Sequence, residues 1–246
     1  AEDPAALAAK FGVAALGPWT GALSNEADQV ILCDAHRRVV DRVDYQLGFP
    51  WPTVGDSPGY SIELIHPGLD NDLGGNWRAS VAGAGRGPTP GRRNAVFSAQ
   101  SPPAIRQVTH SPQQPGSGQA VTITAKVTDP DGVAGVSLSY QTVDPGEYFS
   151  KDDAAYTDPQ SWRDVAMRDD GSAPDRAAGD GLFAAQVPAG EHTHRRLIRY
   201  RLTAVDGKGN SVTVPYADDP QPNFAYFVYD GVPAWSGAIR PGDSDP

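Results

Sequence analysis

In Ala120-Val121-Thr122-Ile123-Thr124-Ala125-Lys126-Val127, apolar and polar residues alternate from Val121 to Val127. Asp129-Pro130-Asp131-Gly132 then interrupts it, and Val136-Ser137-Leu138-Ser139-Tyr140 resumes the same period of two. Period two means one face buried and one wet, so this is a strand, a turn and a second strand. The texture continues outward. Strands are expected at 104–108, 182–188, 195–205, 211–215 and 223–229, which makes about seven with turn residues between them, the mark of a β-sandwich.

The first half reads similarly but more sparsely. Gln29–Asp34 and Arg38–Tyr45 are expected strands, with Asp34-Ala35-His36-Arg37 as their hairpin turn. Tyr60–Ile65 sets Tyr60, Ile62 and Leu64 against Ser61, Glu63 and Ile65, a half-buried strand. Pro4 to about Lys10 is a short helix, with proline in its first turn and Gly12 at its end. Residues 82–93, dense in Gly, Pro and Arg, are loop, and Ser101-Pro102-Pro103 is a stiff joint.

Composition agrees with many turns. There are 27 glycines and 23 prolines in 246 residues, too many for long helices, while 39% hydrophobic residues suffice for packed cores. No run approaches the roughly 20 apolar residues of a membrane helix. The net charge of −10 repels phosphate backbones and argues against nucleic acid. Cys33 is the single cysteine, so no intrachain disulfide forms; it reads as a small buried hydrophobe. The start, Ala1-Glu2-Asp3-Pro4, reads as a processed, cloned or truncated end.

Six motifs then occur in a telling order: Gly17–Glu26, the Val30-Ile31-Leu32 strand with Val43-Asp44-Tyr45, Phe49-Pro50-Trp51-Pro52, Ser61–Leu64, Asn76–Ser80, and Thr89–Asn94. Together they resemble the C-terminal two thirds of a bacterial lamin-tail domain, an immunoglobulin-like sandwich, over residues 5–97. The family's opening strands have no counterpart here. The resemblance therefore implies that they are lost or supplied by another chain. Thr128–Val133, Met167–Gly171 leading to Ala178–Phe183, and Asn223–Pro233 are similar to an immunoglobulin/fibronectin-III-like module upstream of spore-coat-protein-H-like kinase domains.

The fold expected is all-β: two tandem immunoglobulin-like β-sandwich domains with a short N-terminal helix. The divisions are a lamin-tail-like unit at 1–98, a Pro-rich linker at 99–104, a second sandwich at 105–229 and a flexible tail at 230–246.

Asp169, Asp170, Asp175 and Asp180, interleaved with glycines, form an acidic loop. Calcium takes six to eight oxygens, and such a loop can turn carboxylates and carbonyls inward together. The alternative is an Asx-turn loop whose carboxylates accept from nearby amides. Asp129 and Asp131 read as a turn, and Asp70-Asn71-Asp72 as a polar loop. His192-Thr193-His194 reads as a solvated pair at a strand entry, with no third metal ligand evident.

Tyr148, Phe149, Tyr156 and Trp162 lie in a long insertion, 141–165, either an adaptable binding loop or a loop packing its own aromatics down. Trp19, Trp51 and Trp77 read as packing or loop-anchoring residues, the alternative being a platform for sugar stacking. Arg195, Arg196, Arg199 and Arg201 form a basic strand, with Arg195, Arg199 and Arg201 on one face; the face is expected to be exposed and paired with carboxylates across the sheet, the alternative being a patch for an acidic ligand. No Gly-x-Ser-x-Gly elbow, phosphate-binding glycine loop or His-Glu-x-x-His is present.

The functional expectation is non-catalytic. The modules would belong to a larger secreted or surface-anchored bacterial protein and space or dock a neighbouring, kinase-like domain. Their partners would be neighbouring domains of the same polypeptide, or a cell-surface protein or polymer, with no nucleic acid and no membrane span. The alternative is a calcium-dependent module binding carbohydrate or another surface polymer.

Overall fold

Asp3 and Gly12 bracket the first element of the computed structural model, which describes residues 1–53, 59–82 and 87–232. The Asp3 carboxylate accepts from the Ala6 amide at 2.8 Å, and Gly12 takes the left-handed turn (φ 69°) that ends α1 (Pro4–Phe11). No described helix is long and apolar enough to cross a membrane.

The first half builds two small antiparallel pairs. β1 (Ala27–Cys33) pairs with β2 (Val39–Gln46), and β3 (Ile62–Leu64) with β4 (Trp77–Ala79). The hairpin between β1 and β2 is closed by Asp34, whose carboxylate accepts from the His36 and Arg38 amides. Asp34 also meets the Arg38 guanidinium at 2.7 Å, and the Arg38 bonds hold its carboxyl below the usual range. Cys33 is exposed at the end of β1 rather than buried, because the hairpin carries little cover on either face.

β3 reverses the expected face. Glu63 and Ile65 are buried while Tyr60 is exposed and Ile62 and Leu64 are half-buried. The reason is a polar hub. The Glu63 carboxylate accepts from the Thr89 amide (3.1 Å), the Thr89 hydroxyl (2.9 Å) and the Ala95 amide (2.8 Å), so it holds the following loop instead of facing water. Trp51 is buried against Gly74, where a Cβ would meet its ring at 2.6 Å, and it packs on Trp77 at 5.6 Å.

The second half is a two-sheet sandwich. One sheet runs β5 (Ala104–Ser111), β6 (Val121–Thr128), β9 (Leu182–Val187). The other runs β8 (Arg163–Met167), β7 (Val133–Val143), β10 (Leu197–Asp206), β11 (Ser211–Val214). β12 (Phe224–Phe227) pairs the first part of the same β10 edge whose second part takes β11. The alternation of β6 is fully realised: Val121, Ile123, Ala125 and Val127 are buried against Leu138, Tyr140, Ile198, Tyr200 and Leu202 of the facing sheet.

β7 runs to Val143 and β8 begins at Arg163, which shortens the expected long insertion to 144–162. β10 begins at Leu197, so Arg195 precedes it, in a left-handed conformation (φ 67°), and does not share a strand face with Arg199. The expected flexible tail at 230–246 lies outside the described residues from 233 on. Its first residue is held: the Asp230 carboxylate accepts from the Ser117 amide at 2.5 Å and the Ser117 hydroxyl at 2.6 Å.

The two halves touch through side chains. Phe49 packs on the second core, edge-on to Phe224 at 5.2 Å. Tyr216 donates to the Pro50 carbonyl at 2.9 Å, and its ring and hydroxyl receive Arg78. The chain is thus a mostly β structure of several sheets with a short N-terminal helix, consistent with tandem immunoglobulin-like sandwich domains.

Candidate binding face of the second sandwich

The outer face of the β7–β10 pair carries the residues of interest. Gln141 stands directly opposite Arg199, and Ser139 opposite Arg201. A strand face like this is ordinarily wet, yet Arg199 and Gln141 are 9% and 4% exposed. The segment 144–162 folds over them. Asp158 caps the short 3-10 turn Pro159–Ser161 through the Gln160 amide (2.9 Å), and α2 (Ala154–Thr157) supplies one helical turn before it.

Two of the four expected binding aromatics are spent on packing. Tyr156 and Trp162 are both 7% exposed and meet edge-on at 5.3 Å. The Trp162 indole donates to the Tyr156 carbonyl at 2.8 Å, and the Tyr156 hydroxyl to the Pro222 carbonyl at 3.3 Å. Burial pushes the Tyr156 hydroxyl above its ordinary pKa, opposed by the Arg201 and Arg199 charges. Arg201 lies over the Trp162 ring at 4.1 Å, and Arg199 over Phe149 at 4.8 Å and Tyr156 at 5.6 Å. The arginine face is therefore stacked on aromatics and not paired with carboxylates across the sheet. Phe149 is half-buried; Tyr148 is 85% exposed.

Arg199 lines two clefts. One, of about 660 Å³, is walled by Tyr148, Arg195, Leu197, Phe227 and Tyr229. The other, of about 470 Å³, is walled by Lys151, Asp152, Tyr156, Pro222 and Asn223. Tyr148, Leu197 and Arg199 belong to both.

The acidic residues gather at two other places, each compact enough to share a divalent ion. Asp169, Asp175 and Asp180 form one group. Their carboxylates already accept from the loop's own amides: Asp175 from Gly171 (2.6 Å) and Arg176 (2.7 Å), Asp169 from Asp180 (3.1 Å) and Gly181 (2.9 Å). The Gly171 amide bond is the main reason the Asp175 carboxyl sits below its ordinary pKa. Lys126 donates to the Asp180 carbonyl, which brings a fixed cation to the loop. Asp170 points elsewhere, toward the Ser172 amide and Arg168.

The second group joins Asp129 and Asp131 to Asp206, from a different turn. Asp206 accepts from the Lys208 and Asn210 amides, and Lys208 meets Asp131 at 2.9 Å. Asp206 had no signal in the sequence, because only the sandwich brings the β6–β7 and β10–β11 turns together. Asp70-Asn71-Asp72 braces the first hairpin: Asn71 donates to Asp41, and Asp72 accepts from the Asp44 amide.

The histidine pair is not a solvated one. His192 is 2% exposed, with one ring nitrogen 2.9 Å from the Tyr226 hydroxyl and the other 3.1 Å from the Pro188 carbonyl. His194 stacks on Tyr229 and accepts from the Asp230 amide through Nδ1. Both precede β10, so they share no strand face.

No protein-family model matches the chain, and no curated protein sequence matches it. The lamin-tail and kinase-associated likeness rests on the sequence motifs alone.

Proposed function

We propose that this chain is a non-catalytic pair of β-sandwich modules from a larger secreted or surface-anchored bacterial protein, and that its first half docks a neighbouring domain of that polypeptide. The observation that carries the reading is the β1–β2 ribbon. Val30, Ile31, Leu32, Val39 and Val40 are all about half-exposed or more, although they alternate between both faces of the hairpin. An isolated two-stranded ribbon is marginal in water, and contiguous exposed apolar surface marks an interaction site. Beside it, Leu23, Val30, Val43, Tyr45, Leu47, Ile62 and Trp77 line an apolar cleft of about 370 Å³. A folded domain laid on this side would cover the ribbon and complete its packing. The contacts at Tyr216 and Phe49 would then transmit its position to the second sandwich.

The test is binding between this 246-residue chain and the domain encoded next to it, purified separately, by calorimetry. Val30→Asp places a charge on the cleft wall at a site that is 48% exposed, and its melt is matched to the parent's before binding is read. Binding weakened about tenfold or more by that change supports the reading. No binding at about 100 μM, or binding indifferent to Val30→Asp, overturns it.

A further inference from the structure

Arg199 is a full charge placed where charges are costly. Its side chain is nine-tenths buried, and among the described residues no carboxylate lies within 4 Å of it. Nη2 donates to the Phe149 carbonyl at 3.0 Å, while Nη1 has no partner. Directly opposite, Gln141 donates to the Ala155 carbonyl, and its Oε1 is likewise without a partner. A buried guanidinium is ordinarily paired, and an unsatisfied one calls for a specific explanation. Stacking on Phe149 and Tyr156 accounts for the faces of the guanidinium but leaves Nη1 without an acceptor.

The surroundings suggest what completes it. The two clefts share Tyr148, Leu197 and Arg199 as wall residues and together make a trough lined by the Arg199 side chain. Tyr148, 85% exposed, belongs to both clefts, and Phe227 (62%) and Tyr229 (39%) offer further ring surface on one side. Arg195 adds positive charge to one cleft, where Glu147 also stands, and Lys151 to the other, where Asp152 also stands. Asp144, on the wall, is already engaged by Arg196 at 2.7 Å. A guanidinium takes a carboxylate through paired N–H donors, and exposed rings along an open trough suit the flat faces of sugars. The net charge of −10 works against any anionic ligand at long range, so the attraction has to come from the local guanidinium.

We propose that the trough lined by Arg199 binds a carboxylate-bearing saccharide, with Arg199 holding the carboxylate and Tyr148 stacking on the sugar ring. This site is independent of the docking surface on the first half, and either can fail without the other.

Calorimetry at low salt with trigalacturonate as the probe tests it, with maltotriose as the neutral control and triglutamate as the acidic peptide. Trigalacturonate is expected to bind, and maltotriose to bind about tenfold more weakly or not at all. Arg199→Gln should cost about tenfold or more, and Tyr148→Ala about threefold to tenfold. Arg199 is buried, so its variant is first checked for an intact melt; Tyr148 is exposed, and its variant decides if the other does not fold. Absence of trigalacturonate binding overturns the proposal. So do equal binding of maltotriose, undiminished binding by Tyr148→Ala, or binding of triglutamate in place of trigalacturonate.

Discussion

Glu63 shows how far one side chain can depart from its pattern. Strand alternation assigns it to water, and the fold buries it as the acceptor for three donors from the following loop. Replacing it with glutamine turns one acceptor oxygen into a donor facing an amide. Glu63→Gln is expected to destabilise the chain by about 2–3 kcal/mol, read from urea unfolding. His192 is the other such residue. Burial depresses its pKa, while the Pro188 carbonyl and Glu191 pull the other way and Arg196 adds to the depression. The folded state therefore favours the neutral ring, and the unfolded chain binds the proton more readily. Stability should be full above the ordinary imidazole value and fall as pH drops through the window from there to the depressed one. Urea midpoints that decline over that window in the parent and less steeply in His192→Gln would agree with this; parallel curves would not.

At the scale of elements, the legible parts were those governed by local periodicity. The alternation of β6 predicts its buried face residue by residue, and Pro4 with Gly12 marks α1. β4 and β8 were not legible as strands. Trp77-Arg78-Ala79 is too short to show a period, and Arg163–Met167 shows no alternation because it is a mostly exposed edge strand paired only with β7. The candidate site was legible in its aromatics and invisible in its geometry. Nothing local in Arg199 says that a segment 50 residues earlier will cover it. The acidic loop gives a further prediction. Asp175 organises it through amide bonds to Gly171 and Arg176, so Asp175→Ala should lower the melting temperature by the same amount in calcium as in chelator. A loss seen only in calcium would instead make the loop an ion site.

At the scale of the molecule, the two halves differ in how completely they bury themselves. The second encloses a continuous core between two sheets, and the first leaves its leading hairpin largely bare. Tyr216 is the hinge of their contact, through the Pro50 carbonyl and Arg78. Tyr216→Phe keeps the ring and removes those bonds. It should cost about 1–2 kcal/mol and split thermal unfolding into two resolved steps. A single unshifted transition would mean that the contact contributes nothing to coupling.

The central claim is that the bare hairpin is covered by a neighbouring domain. Hydrogen exchange of the amides in Ala27–Gln46 addresses it, compared between this chain and the longer polypeptide that includes that neighbour. The account predicts markedly slower exchange across the hairpin in the longer protein, with the second sandwich unchanged. Equal exchange across Ala27–Gln46 in the two would contradict it.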